Sequence, residues 1–138
     1  MAKVTAICYR LFEGEEPAVD AAQRGEEHDF GGELVLTFQD GQRCFVSWVG
    51  EPVQYAIGTS DSSHFVPDAN LVDYDVSNTA IWAGLLGQDV SLSFAGADNQ
   101  VLKVSSRKDH LLLCSFERGH WWADEVMVCK QAPAPYGA

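Results

Sequence analysis

The chain has 138 residues and a mass of 15.1 kDa, the commonest size for a single domain. Twenty acids against nine Lys and Arg leave a net charge of −11, a field that repels nucleic acid and anionic membrane surfaces. No apolar run approaches the roughly 18 residues of a membrane span, and the first residues enter a strand with no signal-peptide core; a soluble cytoplasmic protein is expected.

Residues 3–12 read as a strand, with Val4, Ala6 and Cys8 on one face and Ile7, Tyr9 and Leu11 on the other. Both faces are apolar, so it belongs inside a sheet. Glu13 to Glu33 is a long connection with eight acids and one base, in which Pro17 could open a short helix. Residues 33–48 are the clearest hairpin. A two-residue turn at Asp40-Gly41 would put Val46 and Trp48 on the opposite face from Leu34, Leu36 and Phe38. A three-residue loop, Gln39-Asp40-Gly41 with Gly41 left-handed, pairs Leu36 with Cys44 and Leu34 with Val46 and gathers all these apolar side chains on one face. That register is the expected one, and it buries Leu36, Val46 and Trp48.

Residues 50–70 carry turn signals around short extended pieces, and Leu71 to Val76 is a short strand. Ser77 or Asn78 can cap a helix through Leu86 that stops at Gly87 and lies as a lid against the sheet with Ile81, Trp82, Leu85 and Leu86 inward. Val90–Ala95, Val101–Ser105, Leu111–Glu117 and Trp121–Lys130 form a meander in which Leu113 is a core residue. Residues 132–138 read as a flexible tail behind one domain spanning residues 1–131. The fold expected is mainly β, an antiparallel β-sandwich or partly open barrel of about eight strands with one short helix.

Chemistry-bearing motifs are scarce. Cys8, Cys44, Cys114 and Cys129 are far apart, each in an apolar stretch, which suits reduced core thiols. The spacing of His28, His64, His110 and His120 offers no local zinc pair, and Asp73-Tyr-Asp75 starts a calcium loop whose later positions are wrong, so no metal is expected. Gly58-Thr-Ser60-Asp-Ser62 lacks the second glycine of a nucleophile elbow and reads as a turn, although Ser60 or Ser62 could be drawn beside His64 as part of a triad. No glycine loop cradles a phosphate. The expectation is a protein with no cofactor and no catalysis. Trp121 and Trp122 are adjacent on a strand and face opposite ways, so one of them can serve as an aromatic anchor if it is not packed against the sheet.

The charge is strongly segregated. Residues 11–102 hold 16 acids and two bases, a balance of −14, while the remainder holds seven bases and four acids, +3. Such a field attracts a basic protein partner; the plainer alternative is that it only keeps the chain in solution. The acids expected to meet a partner are Glu13, Glu15, Glu16, Asp20, Glu26, Glu27 and Asp29 on the long connection, and Asp61, Asp68, Asp73 and Asp75 beyond the hairpin.

Ile81-Trp82-Ala-Gly-Leu85-Leu86-Gly87-Gln-Asp-Val90, followed by a meander ending in Gly119-His-Trp-Trp-Ala-Asp124-Glu-Val126, resembles small bacterial immunity proteins of polymorphic toxin systems over about 50 of the 138 residues. The resemblance implies a cytosolic inhibitor that binds and neutralises a basic toxin or effector domain without catalysis. No functional residue carries over with it. The competing expectation is a β-module for a hydrophobic or sugar-like ligand held between sheet and helix by Trp48, Trp82 and Phe94.

Overall fold

The computed structural model describes residues 3–14, 18–19, 27–49, 56–65, 70–95, 99–115 and 126–130, with the backbone alone at 18, 19, 27 and 29. The elements in chain order are β1 (Val4–Phe12), β2 (Ala18–Val19), β3 (Glu27–Phe30), β4 (Glu33–Phe38), β5 (Arg43–Val49), β6 (Ala56–Ser60), β7 (Leu71–Asp75), α1 (Ala80–Ala83), β8 (Ser91–Ala95), β9 (Val101–Ser105), β10 (His110–Cys114) and β11 (Val126–Cys129). Every pairing is antiparallel. The first sheet runs β6-β5-β4-β1-β7 and the second β2-β3-β11-β10-β9-β8, and no strand closes either into a barrel. The chain is therefore a β-sandwich.

The hairpin has the three-residue loop and the predicted register: Leu34 faces Val46 and Leu36 faces Cys44. Phe38 and Gln42 close the loop with a 2.9 Å bond, and Gly41 sits at φ 87°, a left-handed backbone that glycine adopts without penalty. Leu34, Leu36 and Val46 are fully buried, as is Leu113 from the second sheet. Trp48, expected to be buried as well, is only partly so and lies edge-on to Phe65 at 6.0 Å.

β1 is interior as expected, between β4 and β7. Its faces differ from strict alternation, because the register shifts between Val4 and Ala6. That bulge puts Val4 on the core side with Ile7, Tyr9 and Leu11 and leaves Ala6 and Cys8 half-buried on the other. Val4 then bonds the turn after the helix: its amide donates to the Gln88 carbonyl at 3.0 Å and its carbonyl accepts from Gly87 at 2.7 Å.

The described residues hold eleven strands, with β2 and β3 inside the acidic connection and β6 in the turn-rich stretch. Two expectations need correction. The helix is one turn, Ala80–Ala83, with Thr79 at its N-cap, and the chain continues in turns to Gly87 at φ 81°. Ser77 does not cap it. Its hydroxyl accepts from the Ile7 amide at 2.8 Å and donates to the Ile7 carbonyl at 3.2 Å, extending the β1–β7 ladder by one step. A strand ladder with open groups takes a buried hydroxyl in preference to a helix end that water can reach.

The core lies between the sheets. Tyr9, Leu11, Leu34, Leu36, Val46 and Ile57 come from the first; Phe30, Leu102, Val104, Leu111, Leu113, Val126 and Val128 from the second; Ile81, Trp82 and Leu85 close one end. A second apolar group on the far face of the second sheet comprises Val101, Cys114, Met127 and Cys129. No helix among the described residues is long and apolar enough to cross a membrane.

Candidate functional site

Four of the acids expected to meet a partner are described with their side chains, and all four belong to the first sheet or its turns. Glu13 is exposed in the turn after β1, its amide bonded to the Asn70 carbonyl. Asp61 is exposed just beyond β6. Asp73 and Asp75 stand on β7, where each has a local task. Asp73 accepts from Arg10 Nε at 3.2 Å and keeps 67% of its side-chain surface open. Asp75 accepts the Ser77 amide at 2.8 Å, and the hydrogen bonds from Ser77 hold its carboxyl below the usual range. Glu27 and Asp29 lie on β3. Glu15, Glu16, Asp20, Glu26, Asp68, Trp121 and Trp122 fall outside the described residues.

Beneath the exposed acids is a carboxylate that sequence reading passed over. Glu33 opens β4 and its side chain is completely buried. Arg10 Nη1 donates to it at 2.9 Å, the Ser63 hydroxyl at 2.7 Å and the His64 amide at 2.9 Å. A buried charge is tolerable only when paired and hydrogen-bonded, and these three donors supply both. The result is a clasp that fastens the segment after β6 onto β4, with Arg10 shared between Glu33 and Asp73. Gly32 makes room for it, because a Cβ there would overlap the Arg10 carbonyl oxygen. The two glycines ahead of Glu33 are the signal that could have drawn attention to this carboxylate.

The clasp also decides the serine question. His64 gives its amide to Glu33, and its Nε2 lies 2.9 Å from the Phe45 carbonyl oxygen. Ser60 Oγ accepts from the Ser62 amide at 3.2 Å and lies 3.4 Å from Ser62 Oγ. These side chains bind their own turn and the sheet, and among the described residues no hydrogen bond joins either serine to His64.

A second polar chain runs through the core. Trp82 Nε1 donates to the Tyr9 hydroxyl at 2.8 Å, and that hydroxyl is 2.6 Å from His28 Nδ1. Tyr9 stacks on Phe30 at 4.7 Å. Trp82 and Tyr9 are fully enclosed, His28 is 1% exposed, and His28 Nε2 has no hydrogen-bond partner. Burial lowers the His28 pKa from 6.5 to about 4, so the ring is neutral at physiological pH. The three residues come from β1, β3 and α1, and tie the first sheet to the second. Glu27-His28-Asp29-Phe30 alternates polar with aromatic, which is the period-two signal that would have revealed β3.

The aromatics expected to hold a ligand lie in different surroundings. Trp82 is enclosed beside Tyr9, Trp48 packs on Phe65, and Phe94 is 42% exposed on β8. The cations of the second sheet lie away from the exposed acids in the chain: Lys103 on β9, Arg107 and Lys108 in the next turn, and Lys130 after β11, paired with Asp109 at 2.7 Å. Among the described residues no three His, Cys, Asp or Glu side chains are grouped to hold a metal ion. No protein-family model, curated protein or solved structure matches the chain.

Proposed function

We propose that this protein is an acidic binding module of the immunity type, which docks through the acidic segments between Glu13 and Asp75 on a basic toxin or effector domain and blocks it without catalysis. The observation that supports this reading is the segregation of charge. The −14 balance of residues 11–102 supplies Glu13, Asp61, Asp73 and Asp75 to the first sheet and its turns and Glu27 and Asp29 to β3 of the second, while the +3 remainder supplies Lys103, Arg107, Lys108 and Lys130. A predominantly acidic stretch of surface steers an oppositely charged partner and raises its association rate.

The clasp adds rigidity to that face. Arg10 is held by Glu33 and Asp73, so it is already engaged when a cationic partner arrives, and the Glu33 contacts fix the turn that carries Asp61. The exposed Glu13 and Asp61, and the acids of the long connection, are the ones to reverse. Glu13→Lys with Asp61→Lys in one variant, and Glu15, Glu16, Glu26 and Glu27 to Lys in another, should slow association with a partner captured from the source cell and leave unfolding unchanged. Wild-type association should also slow as salt rises, since screening shortens from about 10 Å at 0.1 M to about 3 Å at 1 M. An acidic partner, or association unaffected by both reversals, would refute the proposal.

A further inference from the structure

Two open sheets present four edges, and among the described residues three of them are short, bonded or charged. β2 has two residues. β6 gives the Ile57 amide to the Asn99 carbonyl at 2.8 Å. β7 carries Asp73 and Asp75, and charged residues on an edge oppose the addition of another strand. β8 differs from all three. Its five residues, Ser91-Leu-Ser-Phe-Ala95, hold no charge and no proline, and Phe94 is 42% exposed. Leu92 pairs with Val104 and Phe94 with Leu102, so both belong to the core-facing side of the second sheet. Beside them is a groove of about 330 Å³ lined by Phe38, Cys44, Val90 and Leu92 among others.

We propose that β8 pairs antiparallel with β8 of a second copy of this chain, about a two-fold axis through Ser93. The pattern of the strand is self-complementary in that register. Ser91 faces the partner's Ala95, Leu92 faces the partner's Phe94, and Ser93 faces its own counterpart. All five residues are used, and directly opposed apolar pairs are the unit that stabilises a sheet. Moving the axis by half a residue would set Leu92 against a serine and put side chains of opposite character on each face. Because Leu92 lines the groove, the partner's Phe94 arrives at its mouth, and the two six-stranded sheets join into one.

Charge is compatible with self-association at this edge. Two chains of net charge −11 repel, and exposed Asp40 and Asp89 flank the groove and the start of the strand, but β8 itself holds no charge. The strand next to β8 carries Lys103, and the turn beyond it Arg107 and Lys108. Joining at β8 therefore opposes two uncharged strands, each with Lys103 on the strand beside it. The residual repulsion is long-ranged and screened by salt, so the dimer should tighten as salt rises. This is opposite in sign to the response expected for a basic partner, which keeps the two proposals separable.

The test is sedimentation of the full chain from micromolar to millimolar concentration at low and high salt. The wild type should pass from 15.1 kDa to twice that mass, at lower concentration in high salt. Phe94→Glu, at an exposed position, should remain monomeric with an unchanged circular dichroism spectrum. Ser93→Cys should give a covalent dimer on mild copper-phenanthroline oxidation, since opposed residues in an antiparallel pair sit about 4.5–5.5 Å apart, within disulfide reach. Ser91→Cys, which faces the partner's Ala95, should not. A wild type monomeric throughout, including one whose β8 takes up an extended segment of a different protein, would overturn the proposal. So would a dimer that persists undiminished in Phe94→Glu, or no cross-link at position 93.

Discussion

Replacing His28 with leucine should change how stability depends on pH far more than it changes stability at neutral pH. In the native state the ring is 1% exposed, bonded through Nδ1 to Tyr9 and without a partner at Nε2. Burial lowers its pKa from 6.5 to about 4, whereas in the unfolded chain it keeps the ordinary value. A base whose folded pKa is depressed binds its proton more readily when unfolded. The stability it permits is complete above pH 6.5 and is lost as pH falls toward 4. At 1.36 kcal/mol per pKa unit the full loss is about 3 kcal/mol, most of it complete by pH 4.5. Leucine removes this loss together with the unpartnered Nε2, and leaves the Tyr9 hydroxyl with its bond from Trp82. The difference between the proteins at neutral pH should be within about 1 kcal/mol. Urea unfolding from pH 7 to pH 4.5 measures this directly, because carboxylates titrate alike in both proteins and cancel. The variant should be more stable than the wild type by about 2 kcal/mol at the acid end. Parallel stability curves would show that His28 binds its proton equally well folded and unfolded, and would refute the reasoning.

Leu36→Ala removes a fully buried side chain from the hairpin face and should cost about 2–5 kcal/mol; an unchanged denaturation midpoint would contradict the register. Gly32→Ala places a methyl group against the Arg10 carbonyl and should cost about 1–3 kcal/mol or more, read as a lower Tm, while Gly14→Ala meets no neighbouring atom within 4 Å and acts only through its backbone. With a thiol reagent, Cys8 and Cys44, half-buried, should react before Cys114 and Cys129. Burial pushes Cys8 up to about 11 and also raises Cys44, and the adjacent Cys129 thiol together with burial raises Cys114, so all four should label far more slowly than in the unfolded chain; prompt labelling of Cys114 or Cys129 would contradict their burial.

The hairpin was legible because its turn chemistry and its alternation agree: Gly41 supplies the left-handed residue, and only one loop length collects Leu34, Leu36, Val46 and Trp48 on a single face. β1 was legible as an interior strand because both its faces are apolar, but its bulge was not. Nothing local marks the shift between Val4 and Ala6, which arises where Val4 bonds Gln88 and Gly87 far along the chain. β3 was hidden by composition, since Glu27 and Asp29 made an acidic connection of a strand whose other residues, His28 and Phe30, reach the core. Of the acids singled out for a partner, Glu13, Asp61, Asp73 and Asp75 are exposed, but sequence could not reveal that Asp75 holds Ser77 or that Asp73 shares Arg10. The sharing of Arg10, like the burial of Glu33, depends on residues 23 to 63 positions apart brought together by the sheet, whereas Asp75 and Ser77 are close neighbours in the chain.

The place of β3 between β2 and β11 has a consequence for the order of assembly during synthesis. Phe30 is opposite Val126 and Glu27 opposite Cys129, so β3 is made long before its chief partner, which follows far along the chain. Until then Phe30 and His28 have Tyr9 and the first sheet to lean on, but β3 lacks its ladder on the β11 side. Topologies that rest on such distant pairings fold slowly, because a long loop must close before any contact compensates for it. The acids that flank His28 can then serve the nascent chain as gatekeepers: a strand bearing Glu27 and Asp29 is a poor template for pairing with its neighbours on a polysome. Part of this protein's acidity would thus be a timing device, keeping an unpaired strand solitary until its own C-terminal partner arrives.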